Sequence, residues 1–448
     1  MALSGIQIHK LLPQTNCKEC GFPTCLAFAM KLAAKQVELD KCPYLSEEVR
    51  SKLAESAGPP VRLITLSANG REVKAGNELV LFRHEKTFYN PPGLFIRLWD
   101  NQPLDHLRAQ AGQIAAYQVE YVGMRLSVDG FAVQATGDGS RFAAAVAEIL
   151  QAAKRPLILI ADDPDVLVQG LKVCQGVRPL VCRATAERWE PFAQIAKEHN
   201  APLAVRADSL SGLADLVQKL QSAGLADIVL EPAVGDLRSM LLMHTLIRRM
   251  AIKKNFRPLG YPILSFPGPF AADEGMELIA AAQAIAKYAG FVVLDRFDPA
   301  MVYPLLVLRT NLYTDPQKPI QVQPGIYEFN APNEDAPVMV TTNFSITYFS
   351  VANELSSSGL PGWLLVADAE GMSVLTAWAA GKFDAEKIAN TVRSTGIAQK
   401  VKHRKVVIPG HVAVLSGELE EQLPDWHVRV GPREAVDLPA YLKAGAWA

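Results

Sequence analysis

The chain of 448 residues contains no run of about 18 apolar residues, so it offers no candidate for a membrane-spanning helix. Its formal net charge is only −1, which gives no reason to expect non-specific binding to nucleic acid or to a membrane surface. Low-complexity tracts and short-period repeats are also absent. With 49% hydrophobic and 20% charged residues the composition is that of a globular protein, and the length predicts roughly two or three domains.

Cysteine is scarce, with six residues in the whole chain, yet four of them lie in its first tenth. These four follow the pattern C-x2-C-x4-C-x16-C and are Cys17, Cys20, Cys25 and Cys42. The chain begins without a basic stretch and a long apolar run, so we expect no secretory signal and a cytoplasmic location. In that reducing compartment clustered cysteines indicate a metal or catalysis rather than disulfides. The remaining two, Cys174 and Cys182, lie in strand and helix patterns and are expected in the core.

The spacing of the four cysteines bears on which metal they would bind. Zinc sites usually show two C-x2–4-C pairs, whereas here three cysteines lie close together and the fourth follows alone before Pro43. Bacterial ferredoxin sequences have this arrangement, and the small residues around Gly21 would let backbone N–H groups approach cluster sulfurs. The pattern favours a [4Fe–4S] cluster, with structural zinc as the alternative.

Residues 1–57 are predicted to form a small helical domain that binds this cluster. Helical spacing covers Ser4–Leu12 and Cys25–Glu38, and Ser46-Glu47-Glu48 has the acidic start of a third helix. So short a segment buries little apolar surface, so a metal centre would supply the missing stability. Ala57-Gly58-Pro59-Pro60 is typical of a linker.

Residues 61–324 show strand and helix patterns in alternation after two strand-like stretches, VRLITL and ELVLFRHEKTFY, which we expect to pair as a hairpin. Short apolar strands separated by amphipathic helices indicate a parallel sheet, and the length suits a (β/α)8 TIM barrel, although periodicity does not distinguish it from an open doubly wound sheet. The strand candidates are Leu94–Trp99, Met124–Val133, Leu157–Ala161, Pro179–Arg183, Leu203–Val205, Asp227–Leu230, Ile263–Phe266 and Val292–Leu294. The helical patterns include Arg141–Ala153, Val166–Gln175, Glu187–His199, Leu210–Ala223, Leu237–Lys253 and Glu274–Tyr288.

Residues 325–448 form a second α/β block, which we expect to be doubly wound. Its strand candidates are Val338–Thr341, Leu364–Ala367, Val406–Ile408 and His427–Val430. Loops beyond the carboxyl ends of parallel strands are where such folds bind ligands, and here they are residues 342–345, 368–373, 409–411 and 431–434. The sequence has no G-x-G-x-x-G or Walker A motif, and well-capped helices alone would explain these loops.

Several segments carry a resemblance to a known family. They are NCKECGFPTCLAFA, LFRHEKTFYNPP, ADDPDVL, RRMAIKKNFRPLGYPI, RTNLYTDPQKPIQVQPGIYEFN, VTTNFSITYFSVANEL, GMSVLTAWAAGKFDAEKIA and VGPREA. In this order they cover the whole chain, which resembles the large (gamma) subunit of the corrinoid iron–sulfur proteins of the acetyl-CoA synthase (Wood–Ljungdahl) system.

This resemblance implies a [4Fe–4S] domain (1–57), a TIM barrel (61–324) and a C-terminal corrinoid-binding α/β domain (325–448). It also implies a methyl carrier that forms a heterodimer with a small (delta) subunit. The corrinoid cobalt(I) would take a methyl group from methyltetrahydrofolate, on a separate methyltetrahydrofolate:corrinoid methyltransferase, and pass it to the nickel cluster of acetyl-CoA synthase. The iron–sulfur cluster would return an electron whenever cobalt is oxidised to the +2 state.

The corrinoid contacts implied by the resemblance lie in three segments. They are Thr342, Ser345, Thr347 and Tyr348, then Gly371, Met372, Ser373, Val374, Leu375 and Thr376, and finally Gly431, Pro432, Arg433, Glu434 and Ala435. No D-x-H-x-x-G motif is present, which fits the family's base-off, histidine-off corrinoid, and Thr376 matches the family's threonine beneath the ring. Locally, Thr376 could equally be a helix threonine bonded to the preceding turn. We expect His411 to be a capping or surface residue.

Two other classes of protein stay open on the sequence alone. One is an autonomous TIM-barrel pterin methyltransferase with an accessory cluster, and the other is an electron-transfer or zinc-stabilised scaffold. Polar residues end several barrel strands and could mimic an active site, namely Asp162, Asp163, Glu231, Asp295 and Arg296. Because the family's barrel acts in subunit docking, we assign them no chemistry. The pairs Arg248-Arg249 and Lys253-Lys254 are predicted to form a solvated helix face.

Overall fold

The computed structural model describes residues 5–33, 36–46, 49–50, 53, 58–315 and 320–448. The chain divides into two compact units. The first comprises Met1–Tyr117 and Ser127–Tyr313, and the second comprises Gln118–Leu126 and Thr314–Ala448. Within the described residues, no helix is both long enough and apolar enough to cross a membrane. The cytoplasmic location stays a prediction.

The N-terminal segment contains two helices, α1 (Gly5–Leu11) and α2 (Cys25–Ala33), which pack against each other. Both begin where helical spacing predicted them, but α2 is shorter than the predicted Cys25–Glu38, since Gln36–Glu38 are not helical. Their buried side chains form a small apolar core of Ile8, Leu12, Cys25, Phe28, Ala29, Cys42, Leu45 and Leu53. Of the predicted third helix, Glu47 and Glu48 lie outside the described residues, as does Ala57 of the predicted linker.

A β-hairpin precedes the barrel, formed by β1 (Ile64–Ala68) and the antiparallel β2 (Arg71–Ala75). Asn69 and Gly70 make its two-residue turn with positive φ values of 49° and 80°, as the Asn-Gly type I′ turn requires. The prediction of a second strand in ELVLFRHEKTFY is therefore wrong, because this tight turn pairs β1 with the immediately following residues. The apolar face of the hairpin joins the barrel's interior core.

The barrel consists of eight parallel strands that close when the last pairs with the first. Two further short strands, β4 (Val119–Tyr121) and β5 (Met124–Leu126), interrupt the series and form an antiparallel ribbon in the second unit. The barrel strands are β3 (Gly93–Trp99), β6 (Gly130–Gln134), β7 (Leu157–Ile160), β8 (Leu180–Ala184), β9 (Leu203–Ala207), β10 (Ile228–Pro232), β11 (Ile263–Ser265) and β12 (Ala289–Leu294). This confirms the TIM barrel and excludes the open sheet. The single strand predicted over Met124–Val133 is wrong, because β5 and β6 belong to different units.

Helices follow the barrel strands and form its outer layer. They are α3 (Leu104–Ala116), α4 (Gly139–Ala153), α5 (Pro164–Lys172), α6 (Trp189–Glu198), α7 (Leu210–Ser222), α8 (Leu237–Lys253), α9 (Glu274–Ala286) and α10 (Pro299–Leu312). Most begin at a side-chain cap, and Asp163 is one of these, since its carboxylate accepts the Asp165 N–H at 2.9 Å. Such a cap contributes about 1 kcal/mol, which explains Asp163 at the end of its strand without catalysis.

The predicted solvated face on α8 is wrong at Arg248, which is only 5% exposed. Its Nη2 donates to Glu78 Oε2 at 2.7 Å and to the carbonyl of Val80 at 2.8 Å. The guanidinium also lies 5.4 and 5.0 Å from the ring centroids of Phe88 and Tyr288. Arg248 therefore anchors the segment that follows the hairpin.

The second unit is built on a five-stranded sheet in the order β13-β15-β14-β16-β17. The strands are β13 (Gly325–Phe329), β14 (Val338–Thr342), β15 (Gly362–Ala367), β16 (Lys405–Ile408) and β17 (His427–Val430). All are parallel except β13, an antiparallel edge strand that was not predicted. The helices are α11 (Ser345–Ser358), α12 (Val374–Ala379), α13 (Ala385–Ser394), α14 (Ser416–Gln422) and α15 (Leu438–Lys443).

Alternate residues of these strands enter two separate apolar clusters, so helices cover both faces of the sheet. On β14, Val338 and Val340 pack with α12 to α14, whereas Met339 packs with α11 and α15. This is the doubly wound arrangement that the sequence predicted. It brings the carboxyl ends of β14, β15, β16 and β17 to one edge of the sheet.

Candidate functional site

The four clustered cysteines are all free thiols around the small N-terminal core. Cys25 is the first residue of α2 and is buried. Cys42 directly follows the single helical turn Leu39–Lys41 and is also buried. Cys20 is half-buried and packs against the same core, while Cys17 is exposed. The four thiols thus lie between an apolar core and solvent.

The electrostatics of Cys42 show that the four thiols influence one another. Burial raises the pKa of the Cys42 thiol above its ordinary value, and the charges of Cys20, Cys25 and Cys17 raise it further, while a backbone hydrogen bond at Tyr44 lowers it. A backbone donor also faces a sulfur, since the Asn16 N–H lies 3.4 Å from Cys25 Sγ.

As placed, no group of three or more Cys, His, Asp or Glu side chains within the described residues has metal-binding geometry. The suitability of this segment for a metal centre therefore rests on the chemistry of its donors. Four free thiols interact electrostatically, a backbone N–H is directed at one sulfur, and an apolar core lies behind them. These features fit a thiolate-bound cluster.

The second unit has a cavity of about 300 Å³ at the carboxyl ends of β14, β16 and β17. It opens to solvent, and loops and helix starts from three distant parts of the chain form its wall. Nine of the fifteen corrinoid contacts implied by the resemblance line it, namely Thr347, Ser373, Val374, Leu375, Gly431, Pro432, Arg433, Glu434 and Ala435. The fold thus brings the three predicted segments together around one cavity.

The other six predicted contacts do not line this cavity. Tyr348 packs instead in the apolar cluster behind the sheet, with ring centroids 4.9 Å from Tyr327 and 5.5 Å from Phe349. Of the remaining five, Thr342 is the last residue of β14, Ser345 and Thr376 lie in the first turns of α11 and α12, and Gly371 and Met372 lie in the loop between β15 and α12.

Sequence reasoning missed several residues of the cavity wall. Ile346, Ser350 and Val351 lie on one face of α11 with Thr347, and the i, i+4 spacing of this helix was the available signal. His411, expected at the surface, is half-buried in the wall, with its Nε2 3.7 Å from Glu434 Oε1.

The wall also has features of a binding site for a large, partly apolar ligand. The Thr341 side chain lines the cavity and is 2% exposed, and its hydroxyl has no hydrogen-bond partner in the part of the chain that the structure describes. Ile346 and Leu375 line the opening with 66% and 46% of their surface exposed. A buried unpaired hydroxyl and an exposed apolar rim both favour a bound molecule.

Close packing of two loops shapes this wall. A Cβ added to Gly410 would lie 2.6 Å from the carbonyl oxygen of Gly431 and 2.9 Å from the backbone nitrogen of Arg433. Only glycine allows the two loops to approach this closely, so these loops carry a specific shape. The residues present therefore fit one face of a flat macrocycle edged with amide groups.

Comparison with known proteins places this geometry in context. A family model described as "CO dehydrogenase/acetyl-CoA synthase delta subunit" matches residues 63–442. The "Corrinoid/iron-sulfur protein large subunit" of Moorella thermoacetica is 43% identical over 445 residues, which is 99% of both chains. The chain belongs to the family of corrinoid/iron–sulfur protein large subunits. The match to this relative includes the cysteine segment, which the family model over residues 63–442 does not.

Other relatives agree with this membership. The "Acetyl-CoA decarbonylase/synthase complex subunit gamma" of Methanopyrus kandleri is 36% identical, over 98% of this chain and 97% of its own. The corresponding protein of Archaeoglobus fulgidus is 35% identical over 98% of both chains. A second family model, described as "Putative Fe-S cluster", matches residues 12–44, which include all four clustered cysteines.

Solved structures resemble this chain only at a distance. Dihydropteroate synthase from Thermus thermophilus has a TM-score of 0.40 and 18% identity, over 55% of this chain and 99% of its own. The enzyme from Vibrio fischeri has the same TM-score and identity over 56% and 100%.

Proposed function

We propose that the chain is the methyl-carrying large subunit of a corrinoid iron–sulfur protein. The observation that carries the proposal is the open cavity at the edge of the C-terminal sheet, with the unpaired Thr341 hydroxyl in its wall and an apolar rim. Family membership supports it, since relatives of full length are named for a corrinoid and an iron–sulfur centre. When bound, the corrinoid would carry a methyl group from methyltetrahydrofolate to acetyl-CoA synthase.

The residues of the cavity would bind and orient the corrinoid. Hydroxyl groups of Thr341, Thr347 and Ser373 would bond to its amide side chains. Ile346 and Leu375 would cover the apolar ring and exclude water from it. Part of a large cofactor would stay outside a cavity of this size, so a second protein surface is expected to cover it. The small (delta) subunit of a heterodimer is the partner we propose.

We infer that the corrinoid is bound base-off and without a histidine ligand, with Thr376 beneath the ring. The sequence has no D-x-H-x-x-G motif, but His411 lies in the cavity wall and has to be tested as an axial ligand. The variant His411→Ala should leave the visible spectrum of the bound corrinoid unchanged. A changed spectrum in this variant would show that His411 ligates the cobalt and would contradict binding without a histidine ligand.

Cys17, Cys20, Cys25 and Cys42 are proposed to bind a [4Fe–4S] cluster that returns electrons to the corrinoid. Thiolate ligation permits low reduction potentials, and burial and N–H donors tune them. The Asn16 N–H and the apolar core around Cys25 and Cys42 would act in this way. The methyltetrahydrofolate:corrinoid methyltransferase and acetyl-CoA synthase are the proposed partners for methyl exchange.

Metal content and visible absorption test the proposal directly. The chain should be purified without oxygen together with the small subunit encoded in the same organism. We expect about four iron atoms per chain and about one cobalt, with a corrinoid spectrum. Zinc without iron or cobalt would overturn the proposal. Binding of methyltetrahydrofolate by the isolated chain would instead indicate an autonomous methyltransferase.

A further inference from the structure

A second cavity, of about 140 Å³, lies in the first unit at the carboxyl ends of the barrel strands. Four charged residues from neighbouring parts of the barrel line it: Arg97 on β3, Arg183 on β8, Arg206 on β9 and Glu231 on β10. Each lies near the end of its strand, so closure of the barrel brings them to one face. The proposed corrinoid site uses none of them.

The contacts within this group leave an excess of positive charge in the wall. Glu231 is 3% exposed and accepts hydrogen bonds from Arg183 Nε and Arg206 Nη1, both at 3.0 Å. Arg97 Nη2 lies 2.8 Å from Asp295 Oδ1, outside the cavity wall. With Asp295 counted, the three guanidinium groups face two carboxylates, and this excess of one positive charge favours a bound anion.

The guanidinium groups are held in fixed positions. The ring of Phe266 lies between two of them, with its centroid 4.9 Å from Arg97 Cζ and 5.2 Å from Arg183 Cζ. Such contacts reduce side-chain freedom before any ligand binds. A planar donor group fixed in this way suits the two oxygens of a carboxylate.

Two buried polar atoms in the wall have no partner within the residues that the structure describes. One is Nε of Arg97, whose side chain is 7% exposed. The other is Nε2 of His244, a residue that is 1% exposed. The Nδ1 of His244 lies 3.1 Å from the carbonyl of Lys287 and must donate to it. Burial lowers the pKa of His244 to about 4, so the ring is neutral and its Nε2 is a free acceptor.

We propose that this cavity binds a small hydroxycarboxylate anion. The carboxylate would accept from the guanidinium groups of Arg97 and its neighbours, and the hydroxyl would donate to Nε2 of His244. The volume corresponds to that of about four or five water molecules, which limits the ligand to a few non-hydrogen atoms. This inference does not depend on the proposed function, because both unpaired atoms and all three arginines lie in the barrel.

Isothermal titration calorimetry on the full chain, purified without oxygen and with its cofactors, tests the proposal. The probes are glycolate, acetate and inorganic phosphate at constant ionic strength. We expect saturable glycolate binding with a dissociation constant of about 1 mM. Acetate lacks the hydroxyl and should bind roughly threefold to tenfold more weakly. Failure of glycolate to bind, or tighter binding of phosphate, would overturn the proposal.

Variants separate binding at this cavity from general attraction by the basic face. Arg206→Gln should weaken glycolate binding roughly tenfold, and because its side chain is half-exposed we expect the variant to fold normally. The matched control is Arg188→Gln, which removes one positive charge from a loop at the same end of the barrel without touching the cavity wall. Equal weakening in both variants would overturn the proposal.

A steric variant provides a second test that keeps every charge. Ala233→Phe adds a ring at the half-buried wall residue that follows β10. We expect it to abolish glycolate binding while the far-ultraviolet circular dichroism and the thermal midpoint stay close to those of the wild type. Unchanged glycolate affinity in this variant would show that the ligand binds elsewhere.

Discussion

The side-chain oxygens of Ser373 and Thr376 lie 2.9 Å apart at the start of α12. Ser373 lines the C-terminal cavity, whereas Thr376 is exposed beside it. The Thr376 hydroxyl thus has a local partner of its own, which accounts for its presence without any ligand. A role beneath the corrin ring therefore needs a measurement that local helix stability would not affect.

The variants Thr376→Val and Thr376→Ser provide that measurement. Because the side chain is exposed, the unfolding free energy of both variants should lie within about 0.5 kcal/mol of the wild-type value. If Thr376 faces the corrin ring, Thr376→Val should change the visible spectrum of the cobalt(II) form, and Thr376→Ser should preserve it. Identical spectra in all three proteins would place the ring elsewhere.

Loss of Cys42 should remove the iron–sulfur cluster. Cys42→Ser substitutes a poor ligand for a thiolate, so we expect most of the iron and the electron paramagnetic resonance signal of the reduced cluster to be lost. Cys174→Ser is the matched control, since this thiol is also buried but donates only to the carbonyl of Gly170 at 3.4 Å. Full iron content in Cys42→Ser would contradict the assignment of this ligand.

Close packing at Gly410 predicts a defect confined to the C-terminal cavity. In Gly410→Ala the new Cβ would lie 2.6 Å from the Gly431 carbonyl oxygen, so the loop that carries Arg433 must shift. We expect a marked loss of bound cobalt per chain. Gly417→Ala is the control, because nothing lies within 4 Å of its added Cβ on α14 and alanine favours a helix by about 0.5–1 kcal/mol. Equal cobalt content in both variants would argue against these loops as the corrinoid site.

The sequence predicted those parts of the fold that local patterns determine. The barrel strands are short and apolar and lie between amphipathic helices, so the positions of all but β6 could be predicted within a few residues. The four cysteines stand out as candidate ligands because three of them are close in the chain, and their role as ligands stays a prediction. Closure of the barrel could not be predicted, since it depends on pairing between β12 and β3, some two hundred residues apart.

Two of the errors have the same physical origin, which is pairing between distant residues. Arg248 fits the pattern of a solvated helix face, but its carboxylate partner Glu78 lies 170 residues earlier. The edge strand β13 is partly exposed, so it lacks the continuous apolar pattern of a central strand, and it pairs only with the later β15. The arginine-lined cavity of the barrel likewise exists only once β3, β8, β9 and β10 are brought together.

The buried His244 should make the barrel less stable in acid. Its pKa is lowered from 6.5 to about 4 by burial, so the unfolded chain binds more protons between these values. The stabilisation by neutral His244 is fully present above about pH 6.5 and is lost as the pH falls towards 4. The free energy of unfolding should fall by about 3 kcal/mol over this range.

His244→Asn should remove this dependence on pH. Burial raises the pKa of Glu231 and Glu277, and these two carboxyl groups therefore stabilise the fold as the pH falls. The dependence of the unfolding free energy on pH therefore has to be compared between variant and wild type. Urea unfolding of both proteins at pH 4.5, 5.5 and 7 measures it. If the difference in unfolding free energy between them is the same at all three values, His244 is not the titrating group.

Arg309 ties the last barrel helix to the segments that begin two strands, and its loss should destabilise the barrel strongly. From α10 it donates to the carbonyl of Pro92 at 2.8 Å and to that of Ser127 at 3.0 Å, and it pairs with Asp129. The Asp129 carboxylate also accepts the Leu94 N–H of β3 at 2.7 Å. Arg309→Met would leave a half-buried carboxylate and two carbonyls without their donor, at a cost of about 3–5 kcal/mol.

The matched control for Arg309 is Arg108→Met, which removes a half-exposed guanidinium paired with Glu148 on the outer helices. An exposed pair of this kind contributes about 0–1 kcal/mol, so the control should unfold near the wild-type urea concentration. Because the chain has two units, the barrel transition has to be followed by hydrogen exchange of β3 and β6 amides rather than by one global signal. Faster exchange in Arg309→Met but not in Arg108→Met is the expected result. Equal exchange in both would mean that α10 is held in place by its apolar face alone.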